Sequence, residues 1–403
     1  MHAITVLQDS LRRCIPTLHE KRLSVLLAAV VSCLRTRRLT LSELARGLES
    51  GTTVRHRIKR IDRLLGNAWV QTQRLSFYQM LCRQLIAAST HPVVLVDWSD
   101  LKPDRSLLLL RATLWSHRHA LVLHEEIHPL CKQNSPQVER AFLLTLKSML
   151  CDDVRPIIVT DAGFRGPWFV QVQRLGWHWV GRVRGRTFVS MKPGHWLPCK
   201  QWFTRATATP EALGIGQIVR ARSVDCVLFL YHKPPKGRSS KTVHGQRRRS
   251  RLSNKCADRE RESWLLAASL SLADRPALEI VNLYRTRMRI EQTFRVLKSH
   301  QFGFGFEDSR SRTAGRIAVL LLVNALAVFL AWLAGTLAQR RNLELRYQSH
   351  GNRKRRSLSV VTLGWMALAD EAIKLAHREL TEALRLLSEQ PPQWNDPPAS
   401  QWR

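Results

Sequence analysis

Residues 317–338 form an almost wholly apolar run, and any fold of this chain has to hide it. A run of that length either crosses a bilayer or threads the centre of a protein core. Asn324 interrupts it, arginines flank it on both sides (Arg310, Arg312 and Arg316 before, Arg340 and Arg341 after), and no second such segment occurs. These features make a poor membrane anchor, so a buried core helix and no membrane partner are expected. The competing reading, an integral membrane protein, requires recovery in the membrane fraction.

The charge balance narrows the class of partner. The 403 residues include 64 Lys and Arg against 31 Asp and Glu, a formal net charge of +33, with basic residues from one end to the other. Each phosphate neutralised by a cation releases counterions, so a field of this size favours a nucleic acid. With 44% apolar residues the chain can bury a sizeable core, divided into about two to four domains. The eight cysteines are scattered, without a CxxC pair or zinc-finger spacing, and read as reduced packing residues of a cytoplasmic protein. The opening MHAITVLQDSLRRC lacks an apolar stretch followed by a cleavage site, so secretion is not indicated.

From residue 1 to about 90 apolar residues recur at intervals of three and four, as in Leu23, Leu26, Leu27 and Val30, which predicts an all-helical N-terminal domain. Thr40 and Glu43 fit a capping box at the start of LTLSELARGL. After SGTT, the segment VRHRIKRIDRLLGN carries Arg55, Arg57, Lys59, Arg60 and Arg63. Two short helices, the second basic, resemble a helix-turn-helix, and Arg57, Lys59, Arg60 and Arg63 are candidate DNA contacts.

The texture then turns to strands. HPVVLVDW (91–98), LLLLRATLW (107–115) and HALVLHEE (119–126) read as an antiparallel meander. A helix over 137–150, a fourth strand ending at Asp161, a helix near 168–175 and a fifth strand over 177–184 complete a mixed α/β core. Residues 185–263 read as a β-rich insertion with a flexible basic loop, since 233–261 is rich in Pro, Gly, Ser and Arg. SWLLAASL (263–270) returns as a strand, and one long helix is predicted from Pro276 to about Lys298. The expected organisation is a helical domain (1–90), a catalytic core in two parts (91–184 and 264–310) around the insertion (185–263), and a helical C-terminal region (311–403) with a basic interruption at 353–356.

Two acids end apolar strands: Asp97 in VVLVDWSD and Asp161 in PIIVTDAGF. Either alone could be a harmless strand terminus. In YRTRMRIEQTFRVLK, however, Tyr284, Arg287, Glu291 and Lys298 follow at steps of three, four and seven, one face of a helix, while Ile290, Phe294 and Leu297 form an adjoining apolar side. A carboxylate flanked by cations suits a phosphate held beside metal. Hard divalent ions take oxygen ligands, so Asp97, Asp161 and Glu291 with a substrate phosphate suffice for two of them, and phosphodiester transfer is the expected chemistry. Two decoys are set aside. HEEIH (124–128) matches a zinc-protease pattern that needs both histidines on a helix, whereas here it ends a strand-like run before Pro129. FGFGFE around Gly303 and Gly305 lacks the rest of a dinucleotide fingerprint.

The two strand acids, the DAGF context, the Tyr284, Arg287, Glu291, Lys298 signature and the stretches KRIDRLLGN, VLVDWSDL and GWHWVGRVRG resemble the DDE transposases of the insertion-sequence-four family over nearly the whole chain. The resemblance implies a ribonuclease-H-like core with a β-rich insertion, two Mg²⁺ ions for which Mn²⁺ substitutes, excision through a hairpin intermediate, and double-stranded DNA partners: terminal inverted repeats and a target. It also implies paired ends held by a homodimer, and a bacterial cytoplasmic protein at the nucleoid. By the same resemblance Tyr284, Arg287 and Lys298 contact phosphates near the cleaved end. Trp264 matches a tryptophan that stacks on a flipped base, a use that fits the need for an apolar surface in place of lost stacking. Gln292 stands where relatives often have a second Glu. A non-catalytic DNA-binding protein, such as a repressor or an inactive transposase, is the alternative.

Overall fold

Apolar residues at helical spacing fold the start of the chain into five helices: α1 (His2–Cys14), α2 (Glu20–Thr36), α3 (Leu41–Arg46), α4 (Val54–Leu65) and α5 (Ala68–Ile86). Thr40 caps α3 as expected, its hydroxyl accepting from the Glu43 N–H at 3.3 Å. The computed structural model describes residues 2–86, 89–116, 119–234, 246, 250–251, 253–254, 258, 261–301, 303–348 and 357–389. The basic stretches at 233–261 and 353–356 therefore fall largely or wholly outside the described residues.

Period-two segments follow: β1 (Val93–Asp100), β2 (Leu107–Ser116) and β3 (His119–Pro129), then α6 (Pro136–Met149), β4 (Ile157–Thr160), α7 (Gly166–Arg174) and β5 (His178–Val183). The expected insertion contributes β6 (Phe188–Lys192), β7 (His195–Pro198), β8 (Glu211–Ile218) and β9 (Val224–Tyr231), and the returning strand is β10 (Trp264–Ala268). The later long helices are α8 (Ala277–Thr286), α9 (Met288–Lys298), α10 (Ala314–Arg340), α11 (Val360–Ala369) and α12 (His377–Glu389). The mixed α/β class read from the sequence is what the chain adopts.

One expected helix is two. The segment from Pro276 to Lys298 breaks at Arg287, whose N–H bonds the carbonyl of Tyr284 at 3.1 Å, an i−3 partner instead of the α-helical i−4. Next to it the Thr286 hydroxyl takes the Leu283 carbonyl at 2.6 Å. Such back-bonding by threonine competes with the helical ladder and favours a break.

The chain divides into two units by its contacts. Unit 1 is Met1–Gln133, Leu144–Val154 and Met288–Arg403; unit 2 is Asn134–Leu143 and Arg155–Arg287. In unit 1, β1 pairs antiparallel with β2, and β2 with β3. The apolar run becomes α10, whose most apolar window is entirely buried, as a core helix requires. It packs against α1, α2, α4, α5, α11, α12 and β3. Gly364 on α11 faces Ala331 on α10 so closely that a Cβ there would collide with the Ala331 carbonyl. Unit 2 carries seven strands in the order β4-β5-β10-β9-β8-β6-β7, with β4 and β5 parallel and the remaining pairs antiparallel.

Candidate active site and nucleic-acid interface

In unit 1, Val93 to Val96 bury both faces of β1, and Asp97 follows at 7% exposure. Its Oδ1 accepts the N–H of Trp98 at 2.8 Å. Directly across the ladder stands Arg111 of β2. A buried cation must be paired, because desolvation without compensation is prohibitive. Arg111 accordingly meets Glu125 of β3, its Nε donating at 2.8 Å and a terminal nitrogen lying 2.6 Å away, with both side chains 1% exposed. The Tyr78 hydroxyl donates to the same carboxylate at 2.7 Å. Burial, then the adjacent Glu125 charge, push the Tyr78 phenol well above its ordinary pKa, so it stays a donor.

Helix α9 packs against β1 and β3 and brings the third carboxylate into this unit. Ile290, Phe294 and Leu297 are its buried side, as the spacing predicts. Glu291 lies exposed in the first turn, where a carboxylate complements the helix dipole. Lys298 reaches back to β1, donating to Ser99 Oγ at 2.8 Å. Ser99 is two residues beyond Asp97, hence on the same strand face. Burial lowers the Lys298 pKa; the carboxylates of Asp100, Glu307 and Glu291 oppose that shift and Arg111 adds to it. Unit 1 thus gathers Asp97, Glu291 and Lys298 around one strand and one helix.

In unit 2, Asp161 follows the last residue of β4 and is half-buried. Its Oδ1 accepts the Gly163 N–H at 2.7 Å, a turn closed by the acid itself. A Cβ at Gly163 would lie 2.9 Å from that oxygen, which accounts for glycine in DAGF. Tyr284, on α8, and Trp264, on β10, meet edge to face at 5.0 Å between centroids, and Tyr231 flanks the indole at 5.8 Å. Trp264 is 9% exposed and Tyr284 5%. Lys233 lies over the Trp264 ring at 5.4 Å.

Sequence reasoning missed the cations beside this aromatic group. Arg182 donates to Glu262 Oε2 at 3.2 Å and to the Ser263 carbonyl at 3.3 Å, and Arg184 contacts the same carboxylate. Burial lowers the Arg182 pKa; Tyr284 and Glu262 act against the shift, whereas the charges of Arg184 and Arg287 reinforce it. Arg182 and Arg184 thus share one carboxylate, with Arg287 close enough to act on Arg182, a concentration of positive charge suited to phosphate. The available signal was the alternation in RVR at the end of β5.

The N-terminal cations divide in two. Arg57 donates to the carbonyls of Arg46 and Leu48, at 3.3 and 3.1 Å, and so caps the end of α3. Lys59, Arg60 and Arg63 instead line a groove of about 600 Å³. Lys21 and Arg22 of α2, which sequence reasoning did not single out, complete its basic wall. In HEEIH, His124 and His128 each bond the intervening Glu126, at 2.9 and 3.0 Å, along strand β3; the helical spacing of a zinc protease is absent there. Burial pushes the Glu126 carboxyl up, but the two imidazole hydrogen bonds outweigh it and hold it at about 2.

The family model of the transposase DDE domain matches residues 88–330, more than half of the chain. The chain belongs to this family. The matched span of this DDE transposase contains Asp97, Asp161 and Glu291 and leaves the α2/α4 groove outside it. No curated protein matches the sequence. DDE transposases act on DNA and are in general dependent on divalent metal ions. Among the described residues of either unit, no three His, Cys, Asp or Glu side chains are gathered as a metal site.

Proposed function

We propose that this DDE transposase is a cut-and-paste enzyme of the insertion-sequence-four family, in the subgroup of the transposase of the tetracycline-resistance transposon ten. It binds terminal inverted repeats, nicks them, excises the element through a hairpin intermediate and joins the 3′ ends to target DNA. The observation that carries this reading is Asp97 on a buried strand under the helix bearing Glu291 and Lys298, inside a matched DDE domain.

The donor set fits hard divalent ions, since Asp97, Asp161 and Glu291 offer only carboxylate oxygens. Two Mg²⁺ ions, or Mn²⁺ in their place, would be held by these three acids and, when bound, supply activation of a water or 3′-hydroxyl and charge to stabilise the leaving oxygen. Lys298, Arg287 and Tyr284 bind and orient the phosphates at the cleaved end, with Arg182 and Arg184 adding positive charge beside Tyr284. Trp264 receives the base extruded in forming the hairpin, a role that requires its packed ring to open toward DNA. Lys59, Arg60 and Arg63 hold the duplex of the terminal repeat. Two ends brought together need two protomers.

The test is incubation with Mg²⁺ and a plasmid carrying the DNA that flanks the gene on both sides. Nicked, hairpin and joined products are expected from the wild type, and none from Asp97→Ala, Asp161→Ala or Glu291→Ala, each of which still shifts end DNA in a gel. Cleavage that persists in all three variants overturns the assignment.

A further inference from the structure

The ionic network under the carboxylates of unit 1 is more costly than filling the core requires. A buried ion pair gains little over apolar residues of equal volume, because desolvation offsets the attraction. What a guanidinium adds is direction, since its fork fixes several partners at once. The Arg111 fork points along three elements. Its backbone stands opposite Asp97. Its Nε and one terminal nitrogen are engaged by Glu125 of β3, which is itself tied to Tyr78 of α5. The other terminal nitrogen donates to Thr293 Oγ1 of α9 at 3.2 Å. That hydroxyl in turn donates to the carbonyl of Ile290 at 2.7 Å, the residue immediately before Glu291. The face of Phe294 also lies 5.2 Å from the guanidinium carbon. Lys298 ties down the opposite end of the helix.

We propose that Arg111 is a positioning residue: it fixes the first turn of α9, and with it Glu291, against the strand that carries Asp97. The inference rests on the reading of these two acids as metal ligands. Arg111 touches neither DNA nor the reacting atoms in this scheme; it acts by holding the spacing on which shared coordination depends.

The experiment uses the full chain and three variants. Arg111→Met with Glu125→Leu removes the pair without stranding a charge, Thr293→Val removes only the hydroxyl link to α9, and Arg111→Lys keeps the charge but not the fork. Amide hydrogen exchange is followed in α9, β2 and β3 without metal or DNA, and plasmid nicking is titrated with Mn²⁺. In the double variant, the Mn²⁺ concentration for half-maximal nicking is expected to rise about tenfold with end-DNA affinity unchanged. Exchange in α9 should accelerate by about tenfold while β2 and β3 keep their protection. Thr293→Val is expected to give about a threefold change in both readouts, and Arg111→Lys a value between wild type and the double variant. A core role alone would lower the melting temperature and leave the Mn²⁺ dependence of the folded protein where it was. Wild-type exchange in α9 together with wild-type Mn²⁺ dependence in the double variant overturns the proposal. If that variant does not fold, unchanged values in Thr293→Val overturn it equally. If the wild type itself nicks nothing with any metal, the transposase reading falls, and α9 exchange alone decides whether Arg111 holds the helix.

Discussion

The two units support their acids by different physics. In unit 1, Asp97 lies inside a strand ladder, and charged groups stand on the neighbouring elements: Arg111 with Glu125, and Lys298 on Ser99. In unit 2, Asp161 sits past the end of its strand in a turn that its own side chain closes, and the other expected DNA contacts cluster in an aromatic group. The first acid is placed by electrostatics and register, the second by backbone conformation and packing. The same substitution class should therefore have unlike consequences in the two units.

The largest effect tests where the units must agree. If both acids hold metal as proposed, Asp97→Asn and Asp161→Asn are each expected to reduce Mg²⁺-dependent strand cleavage by at least about a thousandfold in a single-turnover assay. A surviving rate within about tenfold of wild type for either would break the symmetry of the pair and remove that acid from the site. Next, Trp264→Ala should cost unit 2 about 3–5 kcal/mol in denaturant unfolding, as for a packed core aromatic. In the folded fraction it should impair hairpin formation more than the first nick. Equal loss at both steps would make Trp264 a core residue only.

Gly163→Ala asks whether the turn matters apart from stability. The added methyl meets Asp161 Oδ1, so cleavage should fall about ten- to a hundredfold with little change in melting temperature. A rate equal to wild type would show that the turn tolerates displacement of the carboxylate. The smallest effect belongs to the charged unit. The Glu126 carboxyl is held at about 2 against an ordinary 4.5. A depressed carboxyl stabilises fully above its unfolded value and loses that contribution as pH falls through its folded value. The stability gap between wild type and Glu126→Gln should thus close as pH falls from 4.5 to 2. A gap independent of pH across that window would remove the ion from the account.

How much of this could be read in advance followed from the range of the forces. Asp161 just past β4, the buried stripe of α9 and the core helix α10 are written in local period and apolarity, and they emerged as expected; Asp97, expected to end its strand, instead lies inside β1, because the ladder with β2 continues to Asp100. The break at Arg287 was hidden because Thr286 and Met288 carry no strong breaker signal; the i−3 bond becomes visible only in the folded backbone. The role of Arg111 is not legible in LLLLRATLW because its partner lies on the next strand and its third contact on a helix far along the chain. Arg57 and Lys59 looked alike in a basic helix, and only the end of α3 separates a capping cation from one lining the groove.

The composition of unit 1 from distant segments also sets a schedule. The strand carrying Asp97 leaves the ribosome long before α9 and α10, and the intervening residues of unit 2 are complete first. Contacts of such long sequence separation form late, and exposed strands awaiting them are prone to misassembly. Until α10 has emerged, the helices of residues 2–86 lack the apolar rod on which most of them close. A nascent chain can therefore complete the Asp161 unit while the strand of Asp97 still awaits the helix that carries Glu291.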